Sequence, residues 1–236
     1  MVLQRVIQEH RLGIEYGEFM LRRLIAALGI DMVFDVGANV GQYGLQLLDR
    51  VGYRGSLISF EPLPQAANQL KLLTNKHSNW SIRQCALDDR NGHSNFNVMM
   101  GDQFSSLMNP SAEFQGRFHG QHSVKDVIEV EVITLEEAVR STPLFSRGLL
   151  KLDTQGNELR ILRSSGGALT SFLALQIEVG FQKLYQGQAD FQETIDTAEQ
   201  LGYRLSALFP NNEGHFPHLL EMDALFLRRD LLPPLA

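Results

Sequence analysis

The sequence has few of the residues that mark secreted or nucleic-acid-binding proteins. Cys85 is its one cysteine, which excludes an intramolecular disulfide and a cysteine-based metal cage and favours a reducing cytoplasm. Arginine and lysine number 21 against 27 acidic residues, and they are dispersed along the chain. Because a phosphate backbone is bound by a concentrated basic face, nucleic acid is not an expected partner. We predict that Cys85 is a small core residue.

Long apolar runs are also missing. No stretch approaches the ~20 uninterrupted apolar residues that cross a bilayer, and residues 1–29 carry charges throughout, unlike the apolar block of a signal peptide. We therefore expect a soluble, cytoplasmic protein that does not bind membranes. With 236 residues and 44% hydrophobic content, the chain is long enough for one well-buried core. We expect a single domain, in which a helical extension (1–29) precedes the core (30–230), and either a monomer or a homodimer.

Strand and helix patterns alternate after residue 30, which predicts an α/β, Rossmann-like fold with a mostly parallel sheet and helices on both faces. A late strand over 222–227 is expected to form an antiparallel hairpin with the strand before it. A helix is predicted over 157–169. The polar stretch 89–125 contains a candidate strand at 94–99, but it is too long for an ordinary connection and is predicted to be a functional loop or lid. The other predicted strands end at Asp35, Glu61, Arg83, Asp153, Val179 and Leu208.

A glycine turn follows the first predicted strand and is the most informative segment. Glycines remove side chains where backbone must pass close to a bound molecule, and the N–H groups at the following helix start, from about Val40, attract a carboxylate or phosphate. Dinucleotide binders need G-x-G-x-x-G to hold a pyrophosphate, whereas the glycines here are Gly37, Gly41 and Gly44. The turn therefore favours the smaller amino-acid end of S-adenosylmethionine. The residues predicted to bind it here are Asp35, Gly37, Ala38, Asn39 and Gly41.

An acid at the end of the second predicted strand supports an adenosine cofactor. Glu61 lies twenty residues after Gly41, where a carboxylate can accept both hydroxyls of a ribose. Ala86, Leu87 and Asp88 follow the third strand and are expected to border the adenine. Methyl transfer is therefore the leading prediction.

Asp153 and Glu178 end two later strands, at the edge where ligands of open α/β sheets collect. Methyl transfer requires the enzyme to hold the acceptor in line and to take a proton from it if it is a hydroxyl. Asp153, Glu178 or a histidine can serve as this base, and His215, with His218, lies on a late turn that could reach the same edge. Asp153 and Glu178 could also bind magnesium. No spacing requires a metal, so no metal ligand is assigned and the need for a metal stays open.

These segments resemble the successive motifs of the FkbM family of S-adenosylmethionine-dependent methyltransferases. The resemblance spans roughly residues 31–227. Its most specific part is Lys151-x-Asp153-x-Gln155-Gly156-x-Glu158, because methyltransferases in general lack this block. The matching segments are 35–43, 60–62, 86–87, 105–107, 151–158 and 177–179.

The resemblance implies O-methylation of a small molecule, a sugar or a secondary metabolite, in natural product biosynthesis on a seven-stranded class I sheet. It adds Pro62 to the cofactor residues and places Ser105 and Ser106 in the acceptor pocket. Phe181 and Tyr185 lie in a connection expected to select the acceptor, where they could stack on a sugar or macrolide face or be ordinary packing aromatics. Glu158 is expected to brace the loop from the first helical turn rather than to catalyse.

Two other functions stay open. A nicotinamide-dependent oxidoreductase or epimerase would use the same architecture, against the glycine spacing. A non-catalytic adenosine-ligand or protein-interaction module would keep the fold without its chemistry.

Overall fold

The computed structural model describes residues 12–111, 123–210 and 219–232. The helices are α1 (Leu12–Leu28), α2 (Gln42–Leu45) with a π-helical continuation (Gln46–Val51), α3 (Pro64–Thr74), α4 (Leu135–Arg140), α5 (Glu158–Arg163) and α6 (Phe191–Gln200). The strands are β1 (Met32–Val36), β2 (Ser56–Phe60), β3 (Trp80–Arg83), β4 (Ala86–Leu87), β5 (Gly92–Met99), β6 (Val124–Ile133), β7 (Gly148–Leu152), β8 (Phe172–Gly180), β9 (Tyr203–Phe209) and β10 (Glu221–Arg228). Short 3₁₀ turns cover Asp102–Phe104, Gly166–Ser171 and Arg229–Leu231.

Seven strands form the main sheet, in the order β3-β2-β1-β7-β8-β10-β9. Five neighbouring strands of this sheet pair in parallel: β3, β2, β1, β7 and β8. Strand β10 is antiparallel to both of its neighbours, β8 and β9. Every residue of β1 and β7 is buried. Continuous apolar runs are the pattern expected of parallel strands that helices cover on both faces. The predicted seven-stranded α/β fold with a late antiparallel strand is confirmed.

The two faces of the sheet carry separate apolar cores. Phe34 points to one face, where the sheet packs against α4, α5 and α6. Val33, its neighbour, points to the other face, because side chains alternate along a strand. There it packs in a core with Leu21 of α1 and Leu47 of the π-helical continuation of α2. Cys85 is buried in the first core, as predicted. No helix in the described ranges is long and apolar enough to cross a membrane.

A second, three-stranded sheet replaces much of the predicted loop at 89–125. Its strand order is β4-β6-β5, with β5 antiparallel and β4 parallel to β6. Phe96 and Val130 bury its inner face against Leu63 and Ala66. The candidate strand at 94–99 is confirmed as part of β5. The loop prediction is wrong for 92–93 and 124–125, and residues 112–122 lie outside the described part. The sequence signal was weak because polar residues occupy the exposed face of β5.

The helix predicted over 157–169 is shorter than expected. α5 ends at Arg163, and a 3₁₀ turn follows from Gly166. Ser164 Oγ and Ser165 Oγ donate to the carbonyls of Ile161 and Leu162, at 3.1 and 2.5 Å. Serine hydroxyls that bond to nearby backbone in this way compete with helix continuation.

The order of the strands sets where a ligand can bind. The chain runs outward from β1 through β2 to β3, and later returns to β7 on the other side of β1. Connections that leave neighbouring strands in opposite directions create a crevice at the strands' carboxyl ends. This crevice lies above β1 and β7.

Candidate active site

A cavity of about 930 Å³ occupies this crevice. Its volume lies in the upper part of the ~300–1,000 Å³ range usual for ligand pockets, which leaves room for a second molecule beside a nucleoside. Residues that come from the glycine turn, the ends of β2, β4, β7 and β8, and the 3₁₀ turn after β5 line the cavity. The predicted site residues among them are Gly37, Ala38, Asn39, Glu61, Pro62, Ala86, Leu87, Ser105, Asp153 and Glu178.

The backbone amides of the glycine turn are occupied within the protein. Gly37 N and Ala38 N both donate to Phe60 O at 3.1 Å, and Asn39 N donates to Glu61 Oε2 at 2.8 Å. Val40 N donates to Asn39 Oδ1 at 2.7 Å, and Gly41 N to Ala38 O at 2.9 Å. The prediction that the donors of the turn up to this point hold the ligand is therefore wrong. The turn is bonded onto β2 and contributes the shape of the cavity floor.

Gly37 allows the turn to lie directly against the loop after β7. Its φ is +78°, and a Cβ at this position would lie 1.8 Å from Asp153 O. Gly41, by contrast, is outside the set of described residues that line the cavity. A Cβ on Gly41 would meet Leu70 Cδ1 at 2.6 Å and Trp80 Cη2 at 3.0 Å. Gly41 therefore serves the packing of α2 against α3 and β3, and its assignment to the cofactor is corrected.

Gly37→Ala is expected to lower the free energy of unfolding by about 3 kcal/mol, because it combines backbone strain with a backbone clash. In a protein of this size the melting temperature should fall by roughly 6–12 °C. Gly52→Ala is the matched control, since Gly52 has φ +83° but nothing within 4 Å of the added Cβ. Thermal unfolding of both variants separates strain from clash. Equal losses in the two would contradict a tight turn-to-loop contact.

Glu61 lies directly after β2 and is 4% exposed. Its Oε2 accepts from Asn39 N and its Oε1 from Leu63 N, both at 2.8 Å. Burial raises the pKa of Glu61 to about 7, although the two amides lower it. A carboxylate has about four acceptor positions, so Glu61 keeps capacity for two hydroxyls of a bound ribose. The two amides fix its orientation.

An apolar wall beside Glu61 fits an adenine ring. Leu63, Ala86, Leu87 and Phe96 line this part of the cavity. A glutamate with spare acceptor positions next to an apolar slot suits a nucleoside, since the ribose is polar and the base has broad apolar faces. The residues present therefore fit the adenosine part of S-adenosylmethionine.

Asp88 does not contribute its side chain to this wall. It is 1% exposed, and its Oδ1 lies 3.1 Å from Arg160 Nε. Asn157, from the loop before α5, lines the cavity and donates to Leu87 O at 3.2 Å. The assignment of Asp88 to the cofactor is corrected, because Arg160 holds the carboxylate on the protein side of the loop.

Asp35 is also removed from the cavity wall. It is fully buried, its Oδ2 accepts from Ser59 Oγ at 3.0 Å, and its Oδ1 lies 3.4 Å from Lys151 Nζ. Burial raises the pKa of Asp35 and Lys151 opposes this rise. The predicted direct contact of Asp35 with the cofactor is wrong. Asp35 instead anchors Lys151, which does line the cavity.

Lys151 is the cation at the centre of the site. Its ammonium group donates to Asp153 Oδ2 at 3.1 Å and lies 5.2 Å from the centre of the Tyr43 ring. Burial alone would lower the pKa of Lys151, but the carboxylates of Asp153 and Asp35 raise it above its ordinary value. Lys151 is therefore a charged structural partner of the acids and not a base. Residues two apart on a strand point to the same face, so the position of Lys151 two residues before Asp153 is a local signal for this pairing.

Asp153 and Glu178 face the cavity from the ends of the neighbouring strands β7 and β8. Gln155 Nε2 lies between them and donates to Asp153 Oδ1 at 3.0 Å and to Glu178 Oε2 at 2.9 Å. Burial, and then the charge of Asp153, raise the pKa of Glu178 well above that of an ordinary carboxyl. A carboxylate with a raised pKa is a stronger proton acceptor. The pair can thus attract a cation and take up a proton.

Two acids of β10 were missed by the sequence analysis. Glu221 and Asp223 line the cavity, and Asp223 is the antiparallel partner of Glu178. Burial raises the pKa of Asp223 to about 7. Asp223 Oδ2 accepts from Gln176 Nε2 at 3.2 Å, and Tyr43 Oη donates to Gln176 Oε1 at 2.8 Å. The antiparallel pairing brings the start of β10 to the edge at which the parallel strands end.

The predicted acceptor residues divide into one that lines the cavity and three that do not. Ser105 lines it and accepts from Met99 N. Ser106 and Tyr185 are buried and bond to the loop after β7. Phe181 stacks on Phe191, with ring centres 4.8 Å apart, so the alternative of a packing aromatic is the better one for Phe181 and Tyr185. His215 and His218 lie outside the described residues.

The described ranges contain no group of three or more histidine, cysteine, aspartate or glutamate side chains placed to hold a metal ion.

A family model described as the methyltransferase FkbM domain matches residues 35–205. The chain belongs to the FkbM methyltransferase family. The matched range covers most of the chain and includes the glycine turn, Glu61 and the loop after β7. The resemblance inferred from the motifs is confirmed, and S-adenosylmethionine is the cofactor of this FkbM methyltransferase. The nicotinamide-dependent alternative is thereby set aside.

Two relatives of this FkbM methyltransferase carry names that state an activity. The 2-O-methyltransferase NoeI of Sinorhizobium fredii (strain NBRC 101917 / NGR234) is 27% identical over 190 residues, which cover 76% of this chain and 74% of the relative. The 31-O-demethyl-FK506 methyltransferase FkbM of Streptomyces tacrolimicus is 26% identical over 153 residues, covering 56% and 58%. The present chain therefore spans less than two thirds of the second relative.

Solved structures agree on the fold. The methyltransferase FkbM of Methylobacillus flagellatus KT superposes with a TM-score of 0.53 at 13% identity, covering 84% of this chain and 43% of that chain. The magnesium protoporphyrin IX methyltransferase ChlM of Synechocystis PCC 6803, solved with bound S-adenosylmethionine, gives a TM-score of 0.51 at 7% identity, covering 92% and 81%. At these identities the likeness concerns the class I fold alone.

Proposed function

We propose that this methyltransferase transfers a methyl group to a hydroxyl of a sugar or secondary metabolite. The observation that carries the proposal is the Asp153–Gln155–Glu178 arrangement on the cavity wall. An alcohol is a weak nucleophile until its proton leaves, so its methylation needs a base close to the reacting oxygen. The names of both relatives specify O-methylation, which supports the same acceptor chemistry.

The residues divide the work between cofactor and acceptor. Glu61 binds the ribose, and Pro62, Ala86 and Leu87 border the adenosine, while Ala38 and Asn39 shape the floor below the amino-acid end. Bound S-adenosylmethionine supplies the methyl group on a positively charged sulfur. Asp153, held by Lys151, stabilises that charge, because opposite charges attract strongly in a partly buried site.

Glu178 takes the proton from the acceptor hydroxyl. Its raised pKa makes it the better acceptor of the two acids, since Asp153 already faces the ammonium group of Lys151. Ser105 lines the acceptor side. His215 stays a second candidate base from the sequence.

We further propose that the core folds as one domain with α1, that no metal takes part, and that the protein works in the cytoplasm.

A transfer assay with methyl-labelled S-adenosylmethionine tests this function. The acceptor panel contains glycosides, hydroxylated polyketides and peptides, with amine and carboxylate analogues of each as controls. Label should enter hydroxyl compounds and should be unaffected by a chelator. Transfer to amines or carboxylates alone would refute the hydroxyl assignment, and loss of transfer with the chelator would refute the metal-free one.

A further inference from the structure

Gln155 has a backbone conformation that glutamine seldom adopts. Its φ is +58°, in the left-handed region, and it is 9% exposed. A residue with a side chain pays about 1–2 kcal/mol for this conformation, and such strain concentrates at functional sites. The loop is held in place by Glu158, whose Oε1 accepts from Thr154 N at 2.7 Å and whose Oε2 accepts from Gly156 N at 3.1 Å.

Both polar atoms of the Gln155 side chain form hydrogen bonds within the site. Nε2 donates to Asp153 Oδ1 and to Glu178 Oε2, as described above. Oε1 accepts from Tyr185 Oη at 2.9 Å. A reversed amide would turn its oxygen toward two carboxylate oxygens, which repel it. Its two N–H groups are therefore fixed toward the two acids.

Two residues that were predicted to bind the acceptor form hydrogen bonds with Gln155. Ser106 Oγ donates to Gln155 O at 2.8 Å, and Tyr185 Oη also lies 2.9 Å from Phe104 O. Phe104 and Ser105 line the cavity. Ser106 and Tyr185, which do not line it, thus act on the site through Gln155.

We propose that Gln155 is a positioning residue that fixes Asp153 and Glu178 toward the cavity and favours the ionised form of Glu178. The inference rests on the proposed function, in which Glu178 is the base. An N–H that donates to a carboxylate stabilises its charged form. This matters here because four acids raise the pKa of Glu178 by their charge: Asp153, Glu221, Glu158 and Asp223. Lys151 is paired with Asp153 at 3.1 Å.

Two substitutions separate the side chain from the backbone conformation. Asparagine and glycine both tolerate the left-handed region, so Gln155→Asn and Gln155→Gly keep the loop without strain. Neither can bridge the two acids, because glycine has no side chain and the asparagine side chain is one methylene shorter than that of glutamine. We expect kcat to fall about 100-fold in both variants, with the KM for S-adenosylmethionine changed less than about 3-fold. Gln84→Asn, at an exposed site, is the control.

A binding experiment provides a readout that needs no acceptor. The affinity for S-adenosylmethionine is measured by calorimetry from pH 5.5 to 9, with S-adenosylhomocysteine as the uncharged-sulfur control. Protonation of Glu61 affects both ligands alike, so the ratio of the two affinities reports on Glu178. Binding of S-adenosylmethionine relative to S-adenosylhomocysteine should weaken toward acid pH as Glu178 takes up a proton. In Gln155→Gly the midpoint should move up by about one pH unit, which corresponds to the loss of one hydrogen bond to a charged group.

Tyr185→Phe provides a second variant if the loop substitutions unfold the protein. It removes the hydroxyl that orients the amide and should lower kcat about 5-fold, in line with one neutral hydrogen bond. Superimposable pH curves for Gln155→Gly and wild type would overturn the inference, as would unchanged kcat. A shifted binding curve without transfer to any hydroxyl would refute the proposed function and leave the role of Gln155 intact.

Discussion

Replacing Glu61 with alanine is expected to weaken the binding of S-adenosylhomocysteine by roughly 100-fold or more. Each hydrogen bond to a charged group contributes about 1.5–3 kcal/mol, and the proposed ribose contact has two. The substitution also frees Asn39 N and Leu63 N, which shape the cavity floor and the start of α3. Isothermal titration calorimetry measures the change.

The matched control for this prediction is Glu129→Ala, because Glu129 is an exposed glutamate on β6. It should bind the product with wild-type affinity. Wild-type binding by Glu61→Ala would remove the ribose assignment. The pH dependence gives a second test: burial raises the pKa of Glu61 to about 7, so ribose binding by its ionised form should weaken as the pH falls through this region.

Glu178→Gln is expected to lower kcat by about 10²–10⁴-fold, the usual contribution of a general base. Glutamine keeps the size of the side chain but cannot accept the proton. The affinity for S-adenosylhomocysteine should stay within about 3-fold, because Glu61 and the apolar wall are untouched. Single-turnover transfer to a hydroxyl acceptor, measured beside product binding, separates the two effects.

The pH profile of Glu178→Gln provides a further check. In the wild type, kcat at saturating S-adenosylmethionine, which no longer depends on ribose binding by Glu61, should fall as the pH is lowered through the pKa of Glu178, which burial places well above the ordinary value for a carboxyl. This acid limb should be missing in the variant. A variant that keeps both the rate and the limb would show that another group, such as His215, takes the proton.

Local sequence signals were sufficient for much of the fold. The apolar runs of β1 and β7 follow from burial on both faces. Thr134 caps α4 over a span of three residues, with Glu137 N donating to Thr134 Oγ1 at 3.1 Å. These features depend on residues a few positions apart. The place of Glu61 after an apolar strand is equally local, and its distance from the glycine turn was enough to predict an acid in the cavity.

The site residues that were misassigned or missed from the sequence depend on contacts between residues far apart in the chain. Asp35 and Asp88 occupy strand-end positions just as Asp153 does, but Lys151 and Arg160 hold them away from the cavity. Nothing in the spacing of those acids distinguishes them, because their partners lie 116 and 72 residues along the chain. Asp223 was missed because only the pairing of β10 with β8 brings it next to Glu178.

The sequence by itself determined the strand pattern, the place of Glu61 in the cavity and the motif that contains Asp153, Gln155 and Glu158, because each depends on periodicity or on short spacing. Tertiary structure alone decided which acids reach the cavity, which are paired away from it, and that the amides of the glycine turn are already bonded. These outcomes follow because a buried polar group is costly without a partner. Which partner is available depends on how strands that are far apart in the chain pack together.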